Sequence, residues 1–244
     1  MQSKTRHLAL IGVVLFVLII DQIVKIWIKS TFSVNDPSVN LIGDWFQLNY
    51  TENQGMAFGT TLGGGVWGKL ALSIFRIIAI GAIIYYALQQ IKLKVRLEFI
   101  VAIGLVLAGA LGNLIDSAFY DFIFTEFDPC ISFNQLDGSG NFMECDRGYG
   151  IVNSVEARHT GFLLGNVVDM FQFNAYWPEW VPYFGGGQVF PAIWNVADAS
   201  ISIGVIMVII RQKKYFAKEK QSKSTLQSTG SEEAETDFPK VSEE

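Results

Sequence analysis

Two aspartates, Asp169 and Asp198, stand where a carboxylate is expensive. Asp169 lies in the apolar run Gly165-Asn166-Val167-Val168-Asp169-Met170-Phe171, and Asp198 follows Asn195 inside a long hydrophobic segment. No cation lies within one turn of Asp198 on its own segment, so burying it calls for a proton or for a partner from elsewhere. Two carboxylates in one low-dielectric site do not both ionise cheaply: one keeps a proton at neutral pH and the other stays charged. Such a pair can hydrolyse a peptide bond, the charged carboxylate taking a proton from water and the neutral one polarising the scissile carbonyl. Proton-coupled transport also uses carboxylates, and spacing alone leaves both chemistries open.

Other polar residues share the apolar setting. Asp21 and Lys25 are four residues apart, Asn113 and Asp116 three, and Asn195 and Asp198 three, so the members of each pair share a helix face. On their own residues, Asp21 with Lys25 reads as a structural ion pair. Asn113 and Asp116 read as interhelical hydrogen bonds, and Asn195 as a helix contact.

The elements that must position these groups are membrane spans. The 244 residues are 50% hydrophobic and only 17% charged, too apolar for an ordinary soluble domain. Four segments, Leu8–Ile28, Val66–Leu88, Leu97–Tyr120 and Val189–Ile210, meet the requirement of about 20 apolar residues per bilayer crossing. Lys4 and Arg6, then Lys92, Lys94 and Arg96, then Arg211, Lys213, Lys214, Lys218 and Lys220 fall on one side of that path. Both termini are therefore expected in the cytoplasm, with 29–65 and 121–188 facing outward. On this topology Asp21, Asn113, Asp116, Asn195 and Asp198 gather in the outer half, and the inner half is apolar apart from Lys69 and Arg76. An ion relay predicts polar groups through the whole depth, and a structural scaffold has no use for two unpaired acids. Lys4 and Arg6 precede an apolar run as in a signal peptide, but no small-x-small cleavage site follows, so the segment is expected to remain as an anchor.

The alternating run Trp45-Phe46-Gln47-Leu48-Asn49-Tyr50 suits short strands on the membrane surface. The fold class expected is thus an α-helical integral membrane protein of four transmembrane helices with a small outward β segment. Residues 1–7 form the cytoplasmic N-terminus, 8–210 the four-span domain, and 211–244 a basic then acidic tail expected to be disordered. The net charge of −5 averages the two halves of that tail and says little about partners. Cys130 and Cys145 either close a disulfide in an oxidising compartment or remain two thiols. There is no nucleotide, zinc or phosphate motif, and neither a metal nor a nucleic-acid partner is expected.

Taken in order, the motifs resemble those of the lipoprotein signal peptidase family, the type II or prolipoprotein signal peptidases. Asp21-Gln22-Ile23-Val24-Lys25 resembles D-Q-x-x-K, and Asn53-Gln54-Gly55-Met56-Ala57-Phe58-Gly59 resembles N-x-G-x-A-F. Gly109-Ala110-Leu111-Gly112-Asn113-Leu114-Ile115-Asp116 resembles G-x-x-G-N-x-x-D, while Val167-Val168-Asp169 and Asn195-Val196-Ala197-Asp198 resemble V-V-D and N-x-A-D. Each string alone is weak, but five in order along residues 8–210 are specific.

The resemblance implies an aspartic endopeptidase of the bacterial cytoplasmic (inner) membrane, its site facing the periplasmic side. It would remove the signal peptide of a diacylglyceryl-modified prolipoprotein, cutting just N-terminal to the lipidated cysteine, without metal or diffusible cofactor. It implies Asp169 and Asp198 as catalytic, Asn53, Gly55, Asn113 and Asn195 as positioning substrate or carboxylates, and Asp21, Lys25 and Asp116 as scaffold. It further implies contact with membrane lipid, a monomer, and inhibition by the cyclic peptide globomycin. Two departures stand out. Ser117 occupies the place where the family has an arginine, leaving Arg147 or Arg158 to supply a cation. Residues 119–164 are a long insertion that could be a lid, a docking surface for the lipoprotein pathway or a neutral surface ornament.

Overall fold

The computed structural model describes residues 3–34, 36–54, 65–126, 128–135, 140–146, 148 and 150–215. Among these residues there are four α-helices, α1 (Ser3–Thr31), α2 (Gly65–Lys92), α3 (Leu97–Ile123) and α4 (Val196–Tyr215), with strands following α1 and α3 in sequence. Pro37, Pro129, Pro178, Pro182 and Pro191 all fall outside the helices, as expected of residues that lack a backbone donor. The helices keep large apolar side chains on the outside, among them Phe16 at 66% and Ile78 at 65% exposure. A surface so apolar belongs in lipid. Among the described residues, α1, α2 and α3 are long and apolar enough to cross a membrane.

The fourth apolar segment departs from expectation. Residues 189–195 are not helical, and Ile193–Trp194 forms a short strand, β6. Its backbone pairs with β5 (Val167–Phe173), and α4 begins only at Val196. Hydrogen bonding to a neighbouring strand and an asparagine at the helix start override the hydrophobic run.

All three other helices pack on α3. Its glycines permit the approach: a Cβ on Gly109 would run into the Ala197 carbonyl, and one on Gly112 would sit 2.6 Å from Asp21 Oδ2. Gly112→Ala is expected to cost about 1–3 kcal/mol, the usual penalty of overpacking. Gly81→Ala, with nothing within 4 Å of its Cβ, should cost nothing. Thermal unfolding in detergent checks the pair, and equal midpoints would refute the tight contact.

The larger sheet has the order β1 (Val39–Ile42), β2 (Phe46–Asn53), β5, β6, with antiparallel neighbours throughout. Leu48, Val168 and Met170 cluster with Ile28 and Tyr120, so one sheet face rests on the C-terminal ends of α1 and α3. A bulge between Leu48 and Thr51 resets the register so that Thr51 lies opposite Asp169.

Among the described residues of the insertion, β3 (Asn141–Asp146) and β4 (Val152–Ala157) form a hairpin, and Cys145 of β3 is disulfide-bonded to Cys130, ahead of the hairpin, with Cα atoms 5.1 Å apart. Arg158 forks onto Asp121 at 2.9 and 3.0 Å and donates to Asn134 Oδ1 at 3.1 Å. Gln54 Nε2, beside the end of β2, reaches the Phe133 carbonyl at 3.1 Å. The insertion is thereby tied both to α3 and to the strand bearing Asn53.

Candidate active site

The start of α4 builds one half of the site. Asn195 is the residue before the first turn, and its Oδ1 accepts the Asp198 N–H at 2.9 Å. Asp198 Oδ2 accepts the Asn195 N–H in return at 3.4 Å. This reciprocal arrangement is a capping box, and it explains the Asn-x-x-Asp spacing by helix chemistry alone. It also turns the fully buried Asn195 amide toward the sheet, where Nδ2 donates to Asp169 Oδ1 at 2.6 Å and to the Val168 carbonyl at 3.2 Å.

Asp169 sits on β5 and is only 3% exposed. Asn53, at the end of the adjacent strand, also hydrogen-bonds its carboxylate. Burial pushes the Asp169 carboxyl up to about 8, and the negative charge of Asp198 adds to the effect. The amides of Asn53 and Asn195 and the charge of Lys25 oppose it incompletely. Asp198 remains partly exposed, with Asn113 Nδ2 donating to its Oδ1 at 2.9 Å.

Beneath the pair lies an ionic cluster with no solvent exposure. Lys25 Nζ bridges Asp21 at 3.0 Å and Asp116 at 2.8 Å, and donates to Asn113 Oδ1 at 3.0 Å. Gln22 Nε2 reaches both carboxylates at 3.1 Å. Each carboxylate then holds one backbone N–H: Asp21 Oδ1 accepts from Ala197 at 2.9 Å, and Asp116 Oδ2 from Val168 at 3.2 Å. Ala197 immediately precedes Asp198, and Val168 immediately precedes Asp169. The cluster therefore grips the backbone one residue before each aspartate of the pair. A carboxylate at the first turn of α4 also suits the positive end of the helix dipole.

Of the residues singled out from sequence, Asp21, Lys25, Asn53, Asn113, Asp116, Asp169, Asn195 and Asp198 come together at this one end of the helices. Gly55, Arg147 and residues 216–244 lie outside the described residues. Arg158, one of the two cations offered in place of the missing arginine, is committed to Asp121. The cation that meets Ser117 is instead Arg76, whose Nη1 donates to Ser117 Oγ at 3.0 Å. The sequence puts Arg76 and Lys69 in the inner half of the bundle, whereas both lie in the part of α2 that packs beside the site. Lys69 Nζ donates to Asn166 Oδ1 at 2.6 Å, and Ser73 Oγ to the Leu163 carbonyl at 2.8 Å. The signal was present: Lys69, Ser73 and Arg76 follow i, i+4, i+7 spacing and make a polar stripe on an apolar helix. Sequence reasoning also passed over Glu52, which is buried against Lys29, Tyr50 and Asn166. Among the described residues no group of three or more His, Cys, Asp or Glu could hold a metal ion.

Fold and site together define a helical membrane protein carrying a hydrogen-bonded carboxylate pair at one end of its bundle. The family described as signal peptidase (SPase) II matches residues 13–213. A lipoprotein signal peptidase of Porphyromonas gingivalis is 34% identical over 230 residues, covering 92% of this chain and 91% of that protein. Another from Amoebophilus asiaticus is 29% identical over 232 residues, covering 92% of this chain and 86% of that one. A bacterial membrane enzyme solved at 2.3 Å by the in meso method superposes with a TM-score of 0.52 at 27% identity, over 84% of this chain and 87% of that one. The chain belongs to the signal peptidase II family. It is a membrane peptidase, and the transporter alternative falls away.

Proposed function

We propose that the chain is an aspartic endopeptidase in which Asp169 and Asp198 are the catalytic pair, and that it removes the signal peptide of diacylglyceryl-modified prolipoproteins. The observation that carries this reading is the asymmetry of the pair: Asp169 is buried with its carboxyl raised to about 8, while Asp198 is partly exposed. At neutral pH the shared proton then rests on Asp169. In the first step Asp198 takes a proton from water as the water oxygen attacks the scissile carbonyl, and the Asp169 proton passes to the carbonyl oxygen. The resulting tetrahedral diol collapses when Asp198 gives its proton to the departing nitrogen and a diol hydroxyl returns a proton to Asp169. Asn53, Asn113 and Asn195 serve this chemistry by holding the carboxylates.

The same reading gives α1 to α4 as four spans with both termini cytoplasmic and the sheet end facing the periplasm of a bacterial inner membrane. The cation pattern supports it, and Arg6 donates to the carbonyls of Val95 at 2.8 Å and Lys94 at 3.0 Å, gathering basic residues at the opposite end from the pair. A substrate held by lipid and by an apolar signal helix would present its scissile bond at that depth. The protein is read as a monomer in contact with lipid, and globomycin is expected to inhibit it.

The test is to incubate purified protein in lipid with a diacylglyceryl-modified prolipoprotein and to identify the products by mass spectrometry. The expected cut lies immediately N-terminal to the modified cysteine, and an intact substrate would overturn the assignment. The pH profile adds a second check. Once Asp169 loses its proton the pair has no acid, so kcat is expected to fall on an alkaline limb near pH 8.

A further inference from the structure

The site gathers four carboxyl groups, Asp21, Asp116, Asp169 and Asp198, around one lysine, and Lys25 is committed to the first two. A second cation reaches the same place from another helix. Arg76 donates to Ser117 Oγ at 3.0 Å, Ser117 Oγ donates to the Asn113 carbonyl at 3.2 Å, and the Asn113 amide holds Asp198 at 2.9 Å. The charge of Arg76 acts on Asp116 of α3, Asp198 of α4 and Asp169 of β5. On its own helix it also faces Lys69, which is hydrogen-bonded to Asn166.

We propose that Arg76 is a positioning residue of the peptidase reaction: a second cation, delivered by α2 onto Ser117, that balances the charge of the aspartate pair while the proton moves between its members. This rests on the reading of Asp169 and Asp198 as the catalytic pair. Arg76 is partly exposed, as a group beside a substrate path would be, whereas Lys25 beneath the pair is sealed. The geometry also shows why the residue after Asp116 can be a serine. Its hydroxyl is a seat for the guanidinium, and the guanidinium comes from a different helix.

The test uses the full-length protein in lipid. Arg76→Gln is expected to lower kcat by about 10²-fold, the scale of losing one preorganised charge at an active site, with KM little changed. It should also move the alkaline limb to higher pH, because a carboxyl without a nearby cation releases its proton later. Arg76→Lys should restore part of both. The double variant Arg76→Gln with Ser117→Arg, which carries a guanidinium to the same spot from α3, should restore rate and limb together. A wild-type rate and limb in Arg76→Gln would overturn the proposal. So would a loss that neither Arg76→Lys nor the relocated arginine recovers, since that marks packing alone. If instead Asp198→Asn still cleaves, it is the catalytic-pair reading that fails, whatever Arg76 does.

Discussion

Asp198→Asn is expected to give a folded, membrane-inserted protein whose cleavage of a diacylglyceryl-modified prolipoprotein falls by about 10³-fold or more, the range lost with a general base. The substitution is nearly isosteric. An amide oxygen can still accept from Asn113 Nδ2 or from the Asn195 N–H, which are the contacts Asp198 makes now. What disappears is the capacity to take a proton from water. Asp169→Asn should be equally inactive for the opposite reason, because the amide cannot hand a proton to the carbonyl oxygen and recover it. The two variants differ in stability. The folded Asp169 carboxyl lies at about 8, above the ordinary unfolded value near 4. Between those values the folded state binds more protons than the unfolded state, so wild-type stability declines as pH rises from about 4 to about 8. Asp169→Asn removes that decline. Single-turnover cleavage within tenfold of wild type in either variant would sink the pair, and parallel unfolding curves against pH would sink the assignment of the proton to Asp169.

The second large effect belongs to Lys25. Lys25→Met fills a similar volume but leaves Asp21 and Asp116 facing each other without a cation in a place of no solvent exposure. Breaking a buried ion pair from one side costs about 3–5 kcal/mol, because the surviving charge is stranded. Here two charges are stranded, and both anchor backbone next to the proposed catalytic pair. The expected result is a lower yield of folded protein, a lower unfolding midpoint in detergent, and no measurable cleavage. The triple variant Lys25→Met, Asp21→Asn, Asp116→Asn strands no charge and keeps acceptors for the Ala197 and Val168 N–H groups, so it should recover most of the lost stability. A Lys25→Met protein as stable as wild type would show that the cluster does not hold the site together.

The helices and the polar cluster were legible because each rests on a local pattern. Apolar runs of span length locate α1, α2 and α3 within a few residues, and i,i+3 or i,i+4 spacing puts Asp21 with Lys25 and Asn113 with Asp116 on common faces. Hydropathy starts the fourth helix too early because it does not register strand pairing: Ile193 and Trp194 are as apolar as helix residues, and only β5 makes them a strand. The capping box at Asn195 and Asp198 could have been read from spacing, and it would have set the helix start correctly. Hydropathy alone gives Arg76 the wrong depth, although Lys69 and Ser73 share its face.

The sequence alone determined which residue types would meet: carboxylates, asparagines and one lysine set into apolar helices, where burial is tolerable only if they find one another. Those are local facts of hydropathy and helical period, and they carried the family with them. The tertiary structure decided what each group does. That Asp21 holds the Ala197 N–H, that Asp116 holds the Val168 N–H, and that Arg76 rests on Ser117 are contacts between segments 176, 52 and 41 residues apart. No periodicity encodes them, because they arise from how closely glycine-bearing faces of α3 let its neighbours approach and from the register at which β5 pairs with β2. The division of labour proposed for two chemically identical aspartates has the same origin: one is buried on a strand of the sheet and the other is left partly exposed at the first turn of a helix.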